Sequence, residues 1–549
     1  MVTRTLPLSL TPGTPPVLLA ALLSAALALP TAVAAQRASQ GTTGATQPSA
    51  IIQRIELNRE AVFDSTEARR HWLARVANSL HVLTRRSTIE HEMLLRPGSR
   101  YDTVLAVETA QNLRNMGIFS RVRVDSVRAA DGLVARVTTR DAWSTTADLR
   151  FRGSGEQLDY QVTLDDENLL GTGTRIGARY RKTPDRSWRT VTLSRRRLIA
   201  RRIGADVRFD FRSDGERQQV GITQPLFSVR SRFGFEFRAE RSDERVLRFR
   251  GGEVEASDTL WREYRIGRAD VTTAIRSGSG GYLRLGLTAL LRRDDYARSQ
   301  SGPFGRDVVA TGGPFLEWRR ADYLSAPRFI GLGRDEEVVD LGSSVRFGVL
   351  AAPAIFGYAA NGIGGLALVH HGMRMPRGFA MLDAAANGRF TKAGLDSGSV
   401  FVAGTMALKP FRDHLLLVHA RAGWIEAPRP GTEYDYGLVE GPRAYRTHAF
   451  TGDRAVFMTG EYRVILPRAV LGLANVGVAA FGDYGGAWFA GSPSRYGSSV
   501  GVGMRWGINR SAGLSPSRLD LAYRGATEVL PGGWVISVGR GLTISTSPR

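Results

Sequence analysis

The sequence predicts a transmembrane antiparallel β-barrel of about 16 strands, preceded by one small α+β domain. Three observations predict it. From Trp143 to Arg549, strand-length runs alternate apolar and polar residues with almost no helical periodicity. The chain opens with Arg4, an apolar run over Val17–Leu29 and the small residues Ala32-Val33-Ala34-Ala35, the three-part pattern of a secretory leader. No later segment is long and apolar enough for a membrane helix, so any membrane has to be crossed by strands.

In chain order, residues 1–35 read as the leader. Residues 36–50, rich in Ser, Thr, Gly and Gln without periodicity, read as a flexible linker. Residues 51–142 read as the small domain. Ile51–Leu57 alternates as a strand. Ser65 and Thr66 are placed to cap a helix whose Trp72, Leu73, Val76 and Leu80 fall at spacings of three and four. Val104–Met116 fits a second helix stopped by Gly117. Ile118–Val124 and Leu133–Thr138 fit a hairpin about the turn Asp131-Gly132. The stretch from Asn78 to Arg96 has no assigned role in that plan.

Residues 143–549 form the β region. Phe233, Phe235 and Phe237 alternate with arginine, glycine and glutamate. Leu283, Leu285, Leu287 and Leu291 alternate with Arg284, Gly286, Thr288 and Arg292. A soluble sandwich also alternates, with its apolar face turned to a core. Persistence over about 400 residues with no helical cover, a small or charged second face and the leader favour a barrel that is apolar outside and polar within. It must close, because lipid cannot satisfy a free sheet edge. About twenty runs of strand length can be marked. At ~10 residues per strand plus turns and outer loops, sixteen fits, with Ala297–Val308 and Pro327–Glu337 as longer outer loops.

The chain has 549 residues, a formal charge of +22 and no cysteine, which excludes disulfides and thiolate metal sites. Its only lysines are Lys182, Lys392 and Lys409, so the positive charge is nearly all arginine, suited to bidentate contact with carboxylates and phosphates. That charge is interleaved along strands, and no nucleic-acid motif is visible, so nucleic acid is not an expected partner.

Three phrases stand out late in the chain: Gly441-Pro442-Arg443-Ala444-Tyr445-Arg446, then Gly460-Glu461-Tyr462-Arg463, then Phe481-Gly482-Asp483-Tyr484-Gly485. Earlier comes Asp166-Glu167-Asn168-Leu169-Leu170-Gly171-Thr172-Gly173, and last Trp534-Val535-Ile536-Ser537-Val538-Gly539-Arg540-Gly541-Leu542. In this order they resemble the barrel of the outer-membrane assembly-factor superfamily, the BamA/TamA-like proteins with a C-terminal surface-antigen-type barrel. The strand, helix, helix, strand, strand order of residues 51–142 resembles one POTRA domain, the module that precedes such barrels.

The resemblance implies sixteen strands and a loop inside the barrel bearing Arg443, Ala444 and Tyr445. It implies that Arg443 contacts Glu461 and Asp483, that Asn168, Gly171 and Gly173 form an early hairpin, and that Trp534, Ile536, Val538 and Leu542 lie on the closing strand. Ala444 stands where the family usually has glycine, which would strain the loop if that backbone needs a positive φ. The implied location is the bacterial outer membrane, with the small domain in the periplasm. The implied role is to assist insertion, assembly or translocation of proteins. The partners would be unfolded outer-membrane or secreted clients, outer-membrane lipid and periplasmic accessory proteins. A secretion translocator dedicated to one partner and a passive structural barrel or pore are the alternatives.

No nucleophile elbow, phosphate-cradling glycine loop or metal-spaced histidine pair is visible. His370 and His371 are adjacent and would face opposite sides of a strand. The expectation is therefore a protein without enzymatic activity, cofactor or metal.

Overall fold

The computed structural model describes residues 51–549 except 71, 131, 155–156, 200–202, 229–230, 251, 255–258, 279, 299–301, 327–331, 333–336, 438–439, 471–473, 509–515, 529 and 541–549. The leader, the linker and Leu542 thus lie outside the described residues.

The small domain begins with β1 (Ile52–Glu60). Helices α1 (Ser65–Arg70), α2 (Trp72–Leu80), α3 (Arg86–Glu90) and α4 (Thr103–Arg114) follow, then β2 (Phe119–Ala129) and β3 (Gly132–Asp141). The sheet order is β1-β3-β2, with β1 parallel and β2 antiparallel to β3. Asp102 caps α4 by accepting from Val104 N at 2.8 Å, and Gly117 ends that turn in the left-handed region at φ +78°. At α1 the capping oxygen is that of Asp64, which accepts from Thr66 N at 2.9 Å; Ser65 is already the first helical residue.

The core joins the sheet to α3 and α4 through Ile89, Leu113, Ile118, Phe119, Val122 and Val137, with Ile52, Leu95 and Ala106 beside them. Of the expected apolar stripe of α2, Trp72 and Val76 are exposed, and the side chains of Leu73 and Leu80 lie outside the described ones.

Among the described residues the β region is one ring of twenty strands, not sixteen. β4 (Thr145–Ser154), β5 (Gln157–Asp166), β6 (Thr174–Lys182), β7 (Ser187–Ile199), β8 (Ile203–Arg212), β9 (Gly215–Gln224) and β10 (Phe233–Val246) run in succession. A small hairpin, β11 (Phe249–Arg250) and β12 (Glu253–Val254), leads to β13 (Leu260–Gly278), β14 (Gly281–Arg298) and β15 (Gly302–Arg320). A second hairpin, β16 (Tyr323–Ala326) and β17 (Glu337–Asp340), precedes β18 (Ser343–Ala352), β19 (Gly362–Met375), β20 (Gly378–Thr391), β21 (Gly394–Leu408) and β22 (His414–Glu426). A third, β23 (Tyr434–Tyr436) and β24 (Phe450–Gly452), precedes β25 (Arg454–Ile465), β26 (Ala474–Trp488), β27 (Gly497–Ile508), β28 (Ser517–Arg524) and β29 (Gly533–Arg540). The three hairpins stand outside the ring order, which closes with β29 beside β4.

Two expected loops are corrected. The described residues of Ala297–Val308 are strand, not an outer loop: β14 and β15 stay paired out to Arg298↔Gly302. The connection containing 327–337 leaves β15 at the end of the ring that carries the small domain, not at the outer end.

Strand alternation sorts side chains as the sequence pattern requires. Leu285, Leu287 and Leu291 on β14, Val500 and Val502 on β27, and Trp534 and Ile536 on β29 point outward and are exposed. Arg284, Arg505 and Ser537, on the same three strands, point inward and are buried. A ring-wide apolar exterior of this extent is far beyond the scattered exposed hydrophobics of a water-soluble surface.

Because β4 follows β3 almost directly, strands alternate between a domain end and a far end. The stretch from His81 to Glu92, without a role in the sequence, fastens the small domain to the ring. Arg197 at the end of β7 makes a buried bidentate pair with Glu92, at 2.7 and 2.5 Å. Arg85 N donates to Gly171 O at 2.8 Å, and Asn168 Nδ2 to Thr84 Oγ1 at 2.7 Å. Asp141 accepts from Thr84 N and Oγ1 at 2.8 and 2.9 Å and pairs with His81 at 2.8 Å.

Candidate functional site

The connection from β22 to β25, residues 427–453, starts at the far end and turns back into the bore. Arg443, Ala444 and Tyr445 are all buried there against the inner faces of β25 to β29. The Arg443 guanidinium meets both expected acids. Nε donates to Asp483 Oδ2 at 2.8 Å, Nη2 to Asp483 Oδ1 at 3.0 Å, and Nη1 to Glu461 Oε2 at 2.8 Å. Its backbone N–H also donates to Asp483 Oδ2 at 3.0 Å, which fixes the loop's main chain as well as its side chain. The cation lies 3.8 Å from the centre of the Phe481 ring. Burial disfavours the charge on Arg443, but the carboxylates of Asp483 and Glu461 more than offset this and hold its pKa above the usual arginine value.

The cluster is larger than the sequence reading foresaw. Arg505 grips Glu461 at 2.6 and 2.9 Å and reaches Asp520 at 2.6 Å; Arg463 donates to Glu461 Oε1 at 2.5 Å. Arg518 binds Asp520 and donates to Ser537 Oγ at 2.9 Å. Thr459 and Ser499, each directly across from Asp483 in register, donate to its oxygens at 2.7 and 3.3 Å. Arg463, Arg505, Arg518 and Asp520 carried one sequence signal, their shared inward parity, and that becomes readable only with the strand register in hand. All three carboxylates are held by guanidinium groups, so the cluster anchors a loop and offers no free base or nucleophile.

Ala444 does not have a positive φ, so no glycine is needed there. Its methyl is fully buried against Phe481, Ala522 and Val535, and the expected strain is replaced by packing. Tyr445 is also fully buried. Its hydroxyl donates to Gly525 O at 2.7 Å and accepts from Ser498 N at 3.0 Å. Gly497 makes room for it: a Cβ there would lie 2.4 Å from the tyrosine ring.

The rest of the loop closes the far mouth. Arg429 pairs with Asp307 at 2.7 Å, Thr451 Oγ1 donates to Phe249 O at 3.2 Å, and Arg446 bonds Glu253. His448 stacks on Phe249 at 3.8 Å between Asp435 and Asp185. Burial lowers the His448 pKa, the two carboxylates raise it further, and the net result is about 9.

On the adjoining stretch of inner wall, β20 to β22, near the domain end, hairpin β16–β17 lies inside the bore. Its Leu324 and Val339, with Leu341 just after it, pack on Phe379, Met381, Ala407, Leu415 and Leu417. Asn475 Nδ2, at the start of β26, bonds Leu332 O in the same connection, so this segment reaches across the bore.

The early phrase forms the docking turn between β5 and β6. Gly173 N donates to Asn168 Oδ1 at 2.8 Å, and Gly171 sits at φ +73°, where a Cβ would come within 2.6 Å of Leu83 O. Trp534, Ile536 and Val538 alternate along β29 on its outward face, apart from the Arg443 cluster.

The architecture defines a class: a closed antiparallel ring with one α+β domain at its mouth and a basic loop locked in its bore. No family model matches the chain, and no curated protein matches it. Solved structures similar to it include BamA from Haemophilus ducreyi lacking POTRA domains 1–3, at 11% identity and TM-score 0.40, covering 90% of this chain and 86% of that one. CdiB from Acinetobacter baumannii is similar at 10% identity and TM-score 0.42, over 94% and 97%. CdiB from Escherichia coli is similar at 11% identity and TM-score 0.43, over 96% and 99%.

Proposed function

We propose that this chain is an outer-membrane β-barrel that moves polypeptides into or across that membrane, with its small domain on the periplasmic side. The observation that carries the reading is the Arg443 loop, which is returned into the bore and held by buried charge. A passive pore has no use for a bore occupied by a charged loop and an apolar hairpin held on neighbouring stretches of its wall. The clients would be unfolded outer-membrane or secreted proteins. The open edges at β1 and β2 offer backbone groups to an extended chain of any sequence, or to periplasmic accessory proteins. The reading needs no nucleotide, cofactor or catalytic step. The driving free energy is the client's own burial of apolar strands and pairing of their backbones.

Depleting the protein and measuring the levels of other outer-membrane proteins tests the assembly role; a fall supports it. A second reading, export of a dedicated partner through the bore, is favoured by hairpin β16–β17, which has to move before anything passes. Planar-bilayer conductance separates the two. Arg443→Ala and a hairpin deletion should each raise conductance if the bore is the route. Unchanged conductance together with unchanged outer-membrane protein levels leaves only a structural barrel.

A further inference from the structure

We infer that α1–α2 of the small domain is a membrane-surface anchor that lays Trp72 and Val76 into the lipid headgroup layer beside the barrel. The inference rests on the barrel reading above. The first observation is an exposed apolar pair on α2. Among the described side chains of α2, Trp72 and Val76, one turn apart, are 64% and 43% exposed. Burying an amphipathic stripe is the usual reason a short helix is stable. This one keeps its tryptophan in the open.

The second observation is placement. Five residues after α2 ends, Arg85 is bonded to the β5–β6 turn, through its N–H to Gly171 O at 2.8 Å and through Nε to Leu170 O at 3.0 Å. Leu170 at the tip of that turn is exposed, as are the outward Leu164 on β5 and Ile176 on β6. Val82, between helix and turn, is exposed too. The apolar surface therefore continues from the ring exterior, over its rim, to the helix.

The third observation is charge. Ser65–Leu80 carries Arg69, Arg70 and Arg75 against one acid, Glu67, and exposed Arg85 follows, while Arg86 pairs with Glu90 at 2.7 Å. Cations flanking a tryptophan-bearing apolar face match a layer of lipid phosphates over acyl chains, where tryptophan also prefers to sit. A protein client would have to supply acidic and apolar surface together at the barrel rim, where lipid already supplies both.

The chain has no cysteine, so a single introduced cysteine labels cleanly. The full protein is refolded into vesicles of phosphatidylethanolamine and phosphatidylglycerol with Val76→Cys, Val502→Cys or Val107→Cys carrying an environment-sensitive fluorophore. Val107 is an exposed position on α4. The expected result is that headgroup-depth nitroxide lipid quenches the label at 76 by more than half and leaves the label at 107 bright, while acyl-chain nitroxide quenches the label at 502. Adding Arg69→Glu and Arg75→Glu should weaken quenching at 76 several-fold without changing it at 502. A label at 502 that is quenched while 76 is not overturns the anchor and leaves the barrel. A label at 502 that escapes quenching overturns the barrel and the anchor with it. Shielding at 76 that follows protein concentration and not lipid assigns the face to a second copy and overturns the anchor.

Discussion

The bore holds two foreign segments on two walls by opposite means. On β25 to β29 the wall is charged, and the Arg443 loop is fixed by short, directional ion pairs. On β20 to β22 the wall is apolar, and hairpin β16–β17 is fixed by packing of Phe379, Met381, Ala407, Leu415 and Leu417 against Leu324, Val339 and Leu341. The contrast bears on how each segment can leave. A buried ion pair fixes one geometry and fails badly when one partner is lost, because the other charge stays in low dielectric. An apolar contact is less directional and loses free energy roughly in proportion to the area uncovered. The charged wall therefore works as a latch and the apolar wall as a sliding surface.

Breaking the latch should give the largest effect. Arg443→Ala leaves Asp483 without a cation, its remaining partners being the backbone N–H of residue 443 and the hydroxyls of Thr459 and Ser499, and should destabilise the loop by ~3–5 kcal/mol. Protease cleavage within 427–453 should rise sharply while the folded ring persists; an uncleaved loop would show that other contacts suffice. Glu461 keeps Arg463 and Arg505 in this variant, so the wall itself should hold.

The other wall should respond next. Leu417→Ala should cost about 2–5 kcal/mol at the hairpin, detected as faster hydrogen exchange over Leu324 to Leu341 with no change in loop cleavage. If the loop loosens as well, the two segments are coupled and the contrast between them fails.

A smaller change sharpens the view of the loop. Ala444→Gly removes a fully buried methyl and adds backbone freedom at a site that does not need it, a loss of about 1–2 kcal/mol seen in the same cleavage assay. Equal or greater stability in the glycine variant would contradict the packing role given to that methyl.

The mildest effect is on pH. His448 has a pKa raised to about 9, so its bonds to Asp185 and Asp435 are fully available below its ordinary value of about 6.5 and are lost as pH rises through about 9. The far-end cover should loosen between neutral and alkaline pH, and His448→Ala should flatten that profile. The Arg443 latch should be insensitive over the same range.

The sequence made the large division legible because alternation reports which side of a strand faces which medium. The apolar runs of β14 and β27 fall on one face by parity alone. Arg443, Glu461 and Asp483 were legible as an ordered set of phrases, and the structure brings them together. Their partners were not legible. Arg505 and Asp520 lie on different strands, and only the register and stagger of the ring bring them to Glu461. About twenty runs of strand length were visible, and an allowance of ~10 residues per strand plus turns and outer loops reduced them to sixteen. The residues of Ala297–Val308 look like a polar loop when counted along the chain, yet the described ones extend a long hairpin by pairing across the sheet out to Arg298↔Gly302. The α2 stripe was readable as an amphipathic helix, but periodicity cannot say what the face is buried against.

What the sequence determined by itself is therefore the alternation of the β region, the order of the small domain and the presence of an arginine-bearing phrase ahead of two acids. These are local properties, set by side-chain chemistry at fixed spacing along the chain. Tertiary structure alone decided that twenty strands close the ring, that residues 81–92 fasten the domain, that a hairpin enters the bore, and that four arginines share three carboxylates. Each of these depends on pairing between residues far apart in the chain, and such pairing is fixed by the register and closure of the whole sheet.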